Sequence, residues 1–184
     1  MNQKNEFIFL QDKIDNVFLK NRKIFIWGTI NDVLAESVIK KILYLNYENK
    51  DNDIILLINS VGGSIVSGLA IYDIIKSINN KISTVCMGLC ASMGSILLSS
   101  GNKGNRYIYK YGKVMIHQPL GGISGTSSDI EIQVKEIIKS KNIANEILSI
   151  NCNKPINKIN RDCDRDYWMN SEEAKKYGIV DHII

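Results

Sequence analysis

The sequence predicts an α/β fold in which helices alternate with the strands of a largely parallel sheet. Short apolar runs such as Ile54–Ile58 and Ile82–Met87 indicate buried strands. Each run is followed by glycines and then by apolar residues at helical spacing, and this alternation favours parallel pairing through helical crossovers. The chain has 184 residues with no repeat and no low-complexity linker, so residues 1–184 are predicted to form a single domain.

Local signals predict the individual elements. Asn31 stands where a helix N-cap belongs, and Gly178 has the place of a glycine that ends a helix. Gly88–Ala91 is predicted to be a sharp turn, with Ser92 opening the next helix. The predicted strands are residues 23–28, 54–58, 82–87, 106–109, 113–116 and 179–181. The predicted helices are residues 10–21, 31–46 and 65–78, a short one from 92, residues 128–150, a short one from 155, and residues 171–178.

The charge pattern argues against a nucleic-acid partner. The formal net charge is +4, from 23 lysines and arginines against 19 acidic residues. These charges are interleaved without a long block of one sign, so we expect a solvated surface of mixed charge.

The four cysteines, Cys86, Cys90, Cys152 and Cys163, lack the spacing of a zinc site or of a disulfide framework. We expect small buried side chains in a reducing compartment. The chain does not start with the apolar segment of a secretory signal, and its apolar runs are far shorter than the roughly 20 residues that span a bilayer. The prediction is a bacterial cytoplasmic protein, or the mature form of a protein of an organelle stroma or matrix, with no membrane partner.

Two residues could form a nucleophile and its base. His117 follows the predicted strand 113–116, and strand ends next to loops commonly carry functional side chains. Ser92 follows a strand and begins a helix, as in a nucleophile elbow, although the usual G-x-S-x-G spelling is missing. Each residue also has an ordinary interpretation, Ser92 as a helix N-cap and His117 as a structural histidine. The other histidine, His182, is expected to be a solvated or lightly packed residue of the tail.

Two further groups would complete such a site. Gly62 and Gly63 form a second strand-to-helix turn, where the backbone can approach a ligand and aim N–H groups at it, although a purely structural turn is equally possible. Their spacing is not that of a dinucleotide site. The acid that orients the histidine could be Asp162, Asp164 or Asp166, and sequence spacing does not choose among them.

Four segments together resemble one family, the proteolytic subunit of the Clp protease (ClpP). They are Asn59–Ser64, Ala91–Gly94, Met115–Gly122 and Arg161–Asp166, and they follow the family's order and spacing over about residues 20–184. The resemblance implies a crotonase/ClpP-like fold of repeated β-β-α units. It also implies a protruding handle region at about residues 118–150, made of a glycine-rich stretch and the helix after it.

The resemblance assigns a serine peptidase site to this chain. It implies that Ser92 is the nucleophile, His117 the general base and Asp166 the orienting acid. The oxyanion donors are then the N–H groups of Gly63 and Met93. The implied reaction is hydrolysis of peptide bonds in unfolded proteins, with no metal or cofactor in this subunit.

The resemblance also implies an assembly. Asp164 and Arg165 match positions that pair across the interface between two rings. Two stacked heptameric rings, homo- or hetero-oligomeric, would form a tetradecamer, and an AAA+ unfoldase would use ATP to feed unfolded polypeptides into it.

The chain departs from the family pattern at three places, and two other functional classes stay open. Val61 stands where the family usually has proline, so we expect a less rigid oxyanion turn. Residues 1–15 do not resemble the segment that forms the family's axial pore loops, and Ile55 and Leu57 replace aromatic residues common in the partner-docking groove. The alternatives are a catalytically silent structural subunit of a mixed ring and an acyl-CoA-binding enzyme of the related crotonase fold.

Overall fold

Seven strands form one mixed sheet in the computed structural model, which describes residues 3–120, 122 and 124–184 and, for residues 3–9 and 11, the backbone alone. The strands are β1 Lys23–Ile30, β2 Ile54–Gly63, β3 Ile82–Ala91, β4 Arg106–Ile108, β5 Lys113–Ile116, β6 Tyr167–Met169 and β7 His182–Ile183. The helices are α1 Gln3–Lys20, α2 Asp32–Glu48, α3 Ile65–Ser77, α4 Met93–Ser99, α5 Ser127–Cys152, α6 Ile156–Asp162 and α7 Ser171–Tyr177.

The sheet is parallel except at one edge. The strands β1, β2, β3, β4 and β7 are neighbours in that order and pair in parallel. The end of β3 also pairs in parallel with β5, and β6 pairs antiparallel with β5. The predicted α/β class with a largely parallel sheet is confirmed. Each of β1, β2 and β3 has a register shift between its two halves and is followed by a helix.

The strand β3 continues through the predicted sharp turn at Gly88–Ala91, so that prediction is wrong. Gly88 takes φ +95° and forms a bulge, after which the ladder resumes with Cys90 opposite Ser60. The strand continues because unpaired backbone groups in a buried sheet are costly. The sharp change of direction comes at Ser92, one residue beyond the strand.

The end of the chain also differs from the prediction of a strand at 179–181. The N–H of Ile179 donates to the carbonyl of Ala174, which closes α7 around Gly178 at φ +94°. The N–H of Asp181 donates to the Arg106 carbonyl at 2.7 Å, and the paired residues of β7 begin at His182. The three-residue strand β6 was not predicted, because a segment this short carries no recognisable period.

An aliphatic core joins the sheet to the helices. In β1 and β2 the fully buried residues alternate with more exposed ones over the first half of each strand, which directs one face of each toward the core. They include Ile24 and Ile26 of β1 and Ile54, Leu56 and Ile58 of β2. All four cysteines are buried, as predicted. Burial raises the pKa of Cys152 and of Cys163 to about 12, so both side chains stay neutral thiols.

The helix α5 has two different halves. Its first half, up to Ile143, is largely exposed, whereas Ala144, Asn145 and Leu148 are buried against the rest of the chain. The exposed half is the helical part of the predicted handle region. Of the predicted glycine-rich stretch before it, Gly121 and residue 123 lie outside the described residues.

The segment that departs from the family's usual start is helical from residue 3 onward. Residues 3–20 form α1, and Leu10, Ile14 and Val17 are exposed on it. No helix within residues 3–120, 122 and 124–184 is both long and apolar enough to cross a membrane.

Candidate active site

Two neighbouring strands end at the same point of the sheet and bring Ser92 and His117 together. Ala91 at the end of β3 lies opposite Met115 of β5, and the N–H of Ser92 donates to the Met115 carbonyl at 2.9 Å. His117 directly follows β5, and its Nε2 lies 2.8 Å from Ser92 Oγ. This distance is that of a hydrogen bond between a hydroxyl and an imidazole nitrogen.

The backbone of Ser92 turns sharply between β3 and α4. Its angles are φ +54° and ψ −124°, a conformation that costs a residue with a side chain on the order of 1–3 kcal/mol. Its carbonyl accepts hydrogen bonds from the N–H and the hydroxyl of Ser95, at 2.9 and 2.6 Å, which hold the turn. Ser92 occupies the N-cap position of α4 but makes no side-chain capping bond. Its hydroxyl therefore faces His117 and not the helix end.

Asp166 lies on the other side of the imidazole ring. Its Oδ1 is 3.3 Å from His117 Nδ1, so the ring stands between the serine hydroxyl and a carboxylate. The contact is longer than the roughly 2.7–2.9 Å of a strong charge-assisted hydrogen bond. The His117 side chain is 11% exposed and that of Asp166 is 60% exposed, so the acid is the solvent-facing member of the group.

The other two aspartates of the cluster are directed elsewhere. Asp162 accepts hydrogen bonds from the hydroxyl of Tyr177 at 2.8 Å and from Lys158 Nζ at 2.7 Å. Burial would raise the pKa of Asp162, but these hydrogen bonds and the charge of Lys158 outweigh it and lower the pKa. The Asp164 carboxylate lies 3.9 Å from Arg165 Nε on the surface. Among the three candidates, the geometry favours Asp166 as the partner of His117.

The glycine pair at the end of β2 lies directly against Ser92, and both glycines still belong to the strand, which is longer than the predicted 54–58. Gly62 takes φ +94° and Gly63 φ +147°, both in the region that favours glycine. A Cβ on Gly62 would lie 2.6 Å from the Cβ of Ser92 and 2.9 Å from the Ala91 carbonyl oxygen. Only glycine therefore lets the two turns approach this closely.

The two predicted oxyanion donors have different surroundings. Met93 is the first residue of α4, so its N–H is one of the four that have no acceptor within the helix. Its nitrogen would be 3.1 Å from a Cβ on Gly62, which shows how near the two turns are. Gly63 lies opposite Ile30 in the β1–β2 ladder. The donor role of Gly63 and Met93 stays a prediction.

Three residues near the site were not assigned a role from the sequence. The hydroxyl of Ser60 accepts from the N–H of Gly62 at 3.1 Å and donates to the Gly28 carbonyl at 2.6 Å. Gln118 and Lys141 form a hydrogen-bonded pair at 3.0 Å next to the segment that carries the aspartates. Ser60 precedes the glycine pair and Gln118 follows His117, which is a weak local signal, whereas nothing in the sequence singles out Lys141.

A small pocket with a mostly apolar lining opens beside Ser92 and His117. Its polar member Asn145 is satisfied, because its amide donates to Asn160 Oδ1 at 2.7 Å. The apolar lining residues are Ile65, Met93, Ile96, Ile116, Pro119, Ala144 and Leu148. The part of the chain that is described contains no group of three or more His, Cys, Asp or Glu side chains arranged to hold a metal ion.

Comparison with protein-family models agrees with the fold. The model described as Clp protease matches residues 6–184, which is nearly the whole chain and includes all seven strands. The mixed α/β architecture with its central sheet is that of the crotonase/ClpP type. The chain belongs to the Clp protease family.

Proposed function

We propose that this chain is a catalytically active serine endopeptidase subunit. The observation that carries the proposal is the line of three groups, in which Ser92 Oγ lies 2.8 Å from His117 Nε2 and His117 Nδ1 lies 3.3 Å from Asp166 Oδ1. This is the arrangement of a nucleophile, its base and the group that orients the base. Membership of the Clp protease family supports a ClpP-type peptidase in general.

The chemistry is acyl transfer to water. Ser92 Oγ attacks the carbonyl carbon of a peptide bond and gives its proton to His117 Nε2. Asp166 accepts a hydrogen bond from Nδ1–H, which keeps the correct tautomer and stabilises the imidazolium. The N–H groups of Gly63 and Met93 stabilise the oxyanion. His117 then protonates the leaving amine as the C–N bond breaks, and a water molecule hydrolyses the acyl-enzyme by the same route.

The pocket beside Ser92 supports binding of a small apolar group next to the scissile bond. Besides Ser92 and His117, its polar lining residues are Ser95 and Asn145, and both side chains already donate hydrogen bonds within the chain. An apolar side chain that enters it gains burial without leaving a polar group unpaired.

The assembly we propose is the family's double ring. Two heptameric rings, of one or more kinds of subunit, stack as a tetradecamer with Asp164 and Arg165 at their contact. An AAA+ ATPase unfolds and delivers polypeptide substrates, so ATP is used by that partner and this subunit needs no cofactor. The cytoplasm of a bacterium, or an organelle stroma or matrix, provides the reducing conditions that suit four free thiols.

A fluorophosphonate probe tests the proposal, because it reacts only with an activated serine. We expect the purified particle to be labelled at Ser92 and to hydrolyse short peptides. Ser92→Ala should lower peptidase activity by several orders of magnitude. Its fold should be unaffected, because the Ser92 side chain makes no capping bond.

Ser100→Ala is the matched control. Ser100 caps the other end of α4, is buried, and donates its hydroxyl to the Leu97 carbonyl, so labelling and activity should persist. A Ser92→Ala variant that keeps more than about a tenth of the activity would contradict the proposal. An assembled particle that takes up no probe would identify a structural subunit instead.

A further inference from the structure

Two side chains connect α5 to the segment that carries Asp166. Lys141 Nζ donates to Gln118 Oε1 at 3.0 Å, and Gln118 Nε2 donates to the backbone carbonyl of Asp164 at 2.9 Å. Gln118 is also the residue after His117. We propose that Lys141 and Gln118 are positioning residues that hold the Asp166 carboxylate against His117, a role that rests on the proposed function.

Within one chain, few contacts hold the segment 164–166: the Asp164 N–H donates to the Arg161 carbonyl at 3.3 Å, and β6 begins directly after Asp166. The segment joins α6 to β6 on the surface, and the side chains of Asp164, Arg165 and Asp166 are 61%, 90% and 60% exposed. Among the described residues, Gln118 is the side chain from outside this segment that hydrogen-bonds to its backbone. The 3.3 Å contact between Asp166 and His117 is too long and too exposed to fix the segment by itself.

Lys141 determines which way the Gln118 amide points. An amide side chain carries an acceptor oxygen and a donor NH₂, whereas a lysine ammonium can only donate. The ammonium of Lys141 therefore binds the amide oxygen, which directs the NH₂ group to the Asp164 carbonyl. Without that ammonium the amide oxygen loses its hydrogen bond, and the Asp164 carbonyl alone favours this orientation.

The position of Lys141 links the site to the exposed half of α5. Lys141 is partly buried and lies three residues before Ala144, where α5 becomes buried against the rest of the chain. A displacement of the exposed half would move this ammonium first. Lys141 and Gln118 would then pass the displacement to the acid of the triad, without touching the substrate.

A double-mutant cycle tests this relay by peptide hydrolysis. Lys141→Met and Gln118→Met should each lower kcat about tenfold, because a small misplacement of a catalytic group is enough for such a loss, with KM within about twofold. The double variant should be no slower than Gln118→Met alone, because Lys141 acts through Gln118. Lys141→Arg should retain most of the activity, because an arginine can donate to the same oxygen.

Lys139→Met is the matched control on the same helix. The Lys139 side chain is 67% exposed and pairs with Glu136 at 2.6 Å, so its loss should leave kcat unchanged. Thermal melting and particle mass must match the unaltered chain for every variant compared. If Lys141→Met does not fold, Lys141→Gln replaces it in the cycle, because its amide is shorter than lysine and uncharged.

The outcomes separate this inference from the proposed function. If fluorophosphonate labels the unaltered chain but kcat of Lys141→Met is unchanged, the relay is wrong and the peptidase stands. Losses that multiply in the double variant also overturn the relay, because they indicate independent effects. If the unaltered chain is neither labelled nor active, the proposed function fails and the relay fails with it.

Discussion

Ser60 and Gly62 share a hydrogen bond within the turn that faces the nucleophile, with the Gly62 N–H donating to the Ser60 hydroxyl at 3.1 Å. The same hydroxyl donates to the Gly28 carbonyl of β1 at 2.6 Å. Between them stands Val61, 58% exposed, at the position where the family usually has proline. A side-chain hydrogen bond thus restrains this turn in a chain that lacks the proline expected from the resemblance.

Removing the Ser60 hydroxyl should impair catalysis, and introducing a proline at position 61 should compensate. Ser60→Ala should lower kcat about tenfold, because the oxyanion turn loses its side-chain restraint while the substrate pocket is untouched. Val61→Pro in the Ser60→Ala background should recover most of the loss, because proline limits the backbone directly. The measurement is peptide hydrolysis. Ser77→Ala is the control, because Ser77 is an exposed serine. No recovery by Val61→Pro would contradict the compensation.

Substitution of Asp166 should affect catalysis, whereas substitution of Asp162 should affect stability. Asp166→Asn should lower turnover by around ten-thousand-fold, because the amide does not hold the tautomer that the reaction needs. Asp162→Asn should leave kcat per folded particle nearly unchanged but lower the melting temperature, because the Asp162 carboxylate is 8% exposed and binds Lys158 and Tyr177. Paired measurements of kcat and melting temperature decide, and equal losses of kcat in the two variants would rule out Asp166.

Arg165 should matter for assembly rather than for the fold of one chain. Its side chain is 90% exposed, and its contact with Asp164 at 3.9 Å is a surface pair worth about 0–1 kcal/mol. Arg165→Ala should nevertheless lose the double ring and the peptidase activity, because we propose that this residue pairs across the two rings and because it neighbours Asp166. Arg161→Ala, a control with a 75% exposed side chain in the same cluster, should do neither.

Sedimentation velocity and a peptidase assay on the same fractions test the Arg165 prediction. A fully active Arg165→Ala particle of unchanged mass would count against the coupling. So would an inactive variant that remains a well-formed double ring.

The ion pair between Arg106 and Asp181 should make stability fall in acid. The guanidinium binds both carboxylate oxygens, at 2.9 and 2.6 Å, with the side chains 4% and 17% exposed. Burial raises the pKa of Asp181, but the hydrogen bonds and charge of Arg106 and the N–H groups of Gly104 and Arg106 outweigh it, so the pKa is lowered. The stabilisation is therefore present above the unfolded-state pKa of about 4 and is lost as pH falls through the lower folded-state pKa.

Melting curves of Asp181→Asn between neutral and acid pH check this sign. The variant should be destabilised by about 3–5 kcal/mol near neutrality, because Arg106 keeps its charge without a partner. The difference from the unaltered chain should narrow as pH falls from about 4, where Asp181 takes up a proton in the unfolded chain, through the lower pKa of Asp181 in the folded chain. A difference that stays constant or widens in acid would show that the lost stability does not depend on the carboxylate charge.

The sequence predicts what depends on local pattern. Apolar runs correctly indicated β1, β2 and β5. Ser92 and His117 each follow a predicted strand, which pointed to them as a pair, and the sheet brings Ser92 Oγ and His117 Nε2 within 2.8 Å. The bulge at Gly88 resembles a turn locally, and only pairing with neighbouring strands reveals that β3 continues. That pairing is non-local, so no window of sequence contains it.

The choice of acid and the support of the site depend on contacts that are distant in sequence. Asp162 and Asp166 lie four residues apart and have the same chemistry, yet one faces Tyr177 and the other His117. Lys141 looks like any other lysine of an exposed helix until its contact with Gln118 is known. From the sequence, only the resemblance to a family could select Asp166 among the three aspartates as the partner of His117.

The antiparallel pairing of β6 with β5 has a consequence for the newly made chain. β6 begins directly after Asp166, so the carboxylate reaches His117 only when residues 167–169 have left the ribosome and joined the sheet. Contacts of this kind form late, because distant segments must first meet. A nascent chain therefore carries Ser92 and His117 without their acid until residues 167–169 have been made and paired with β5.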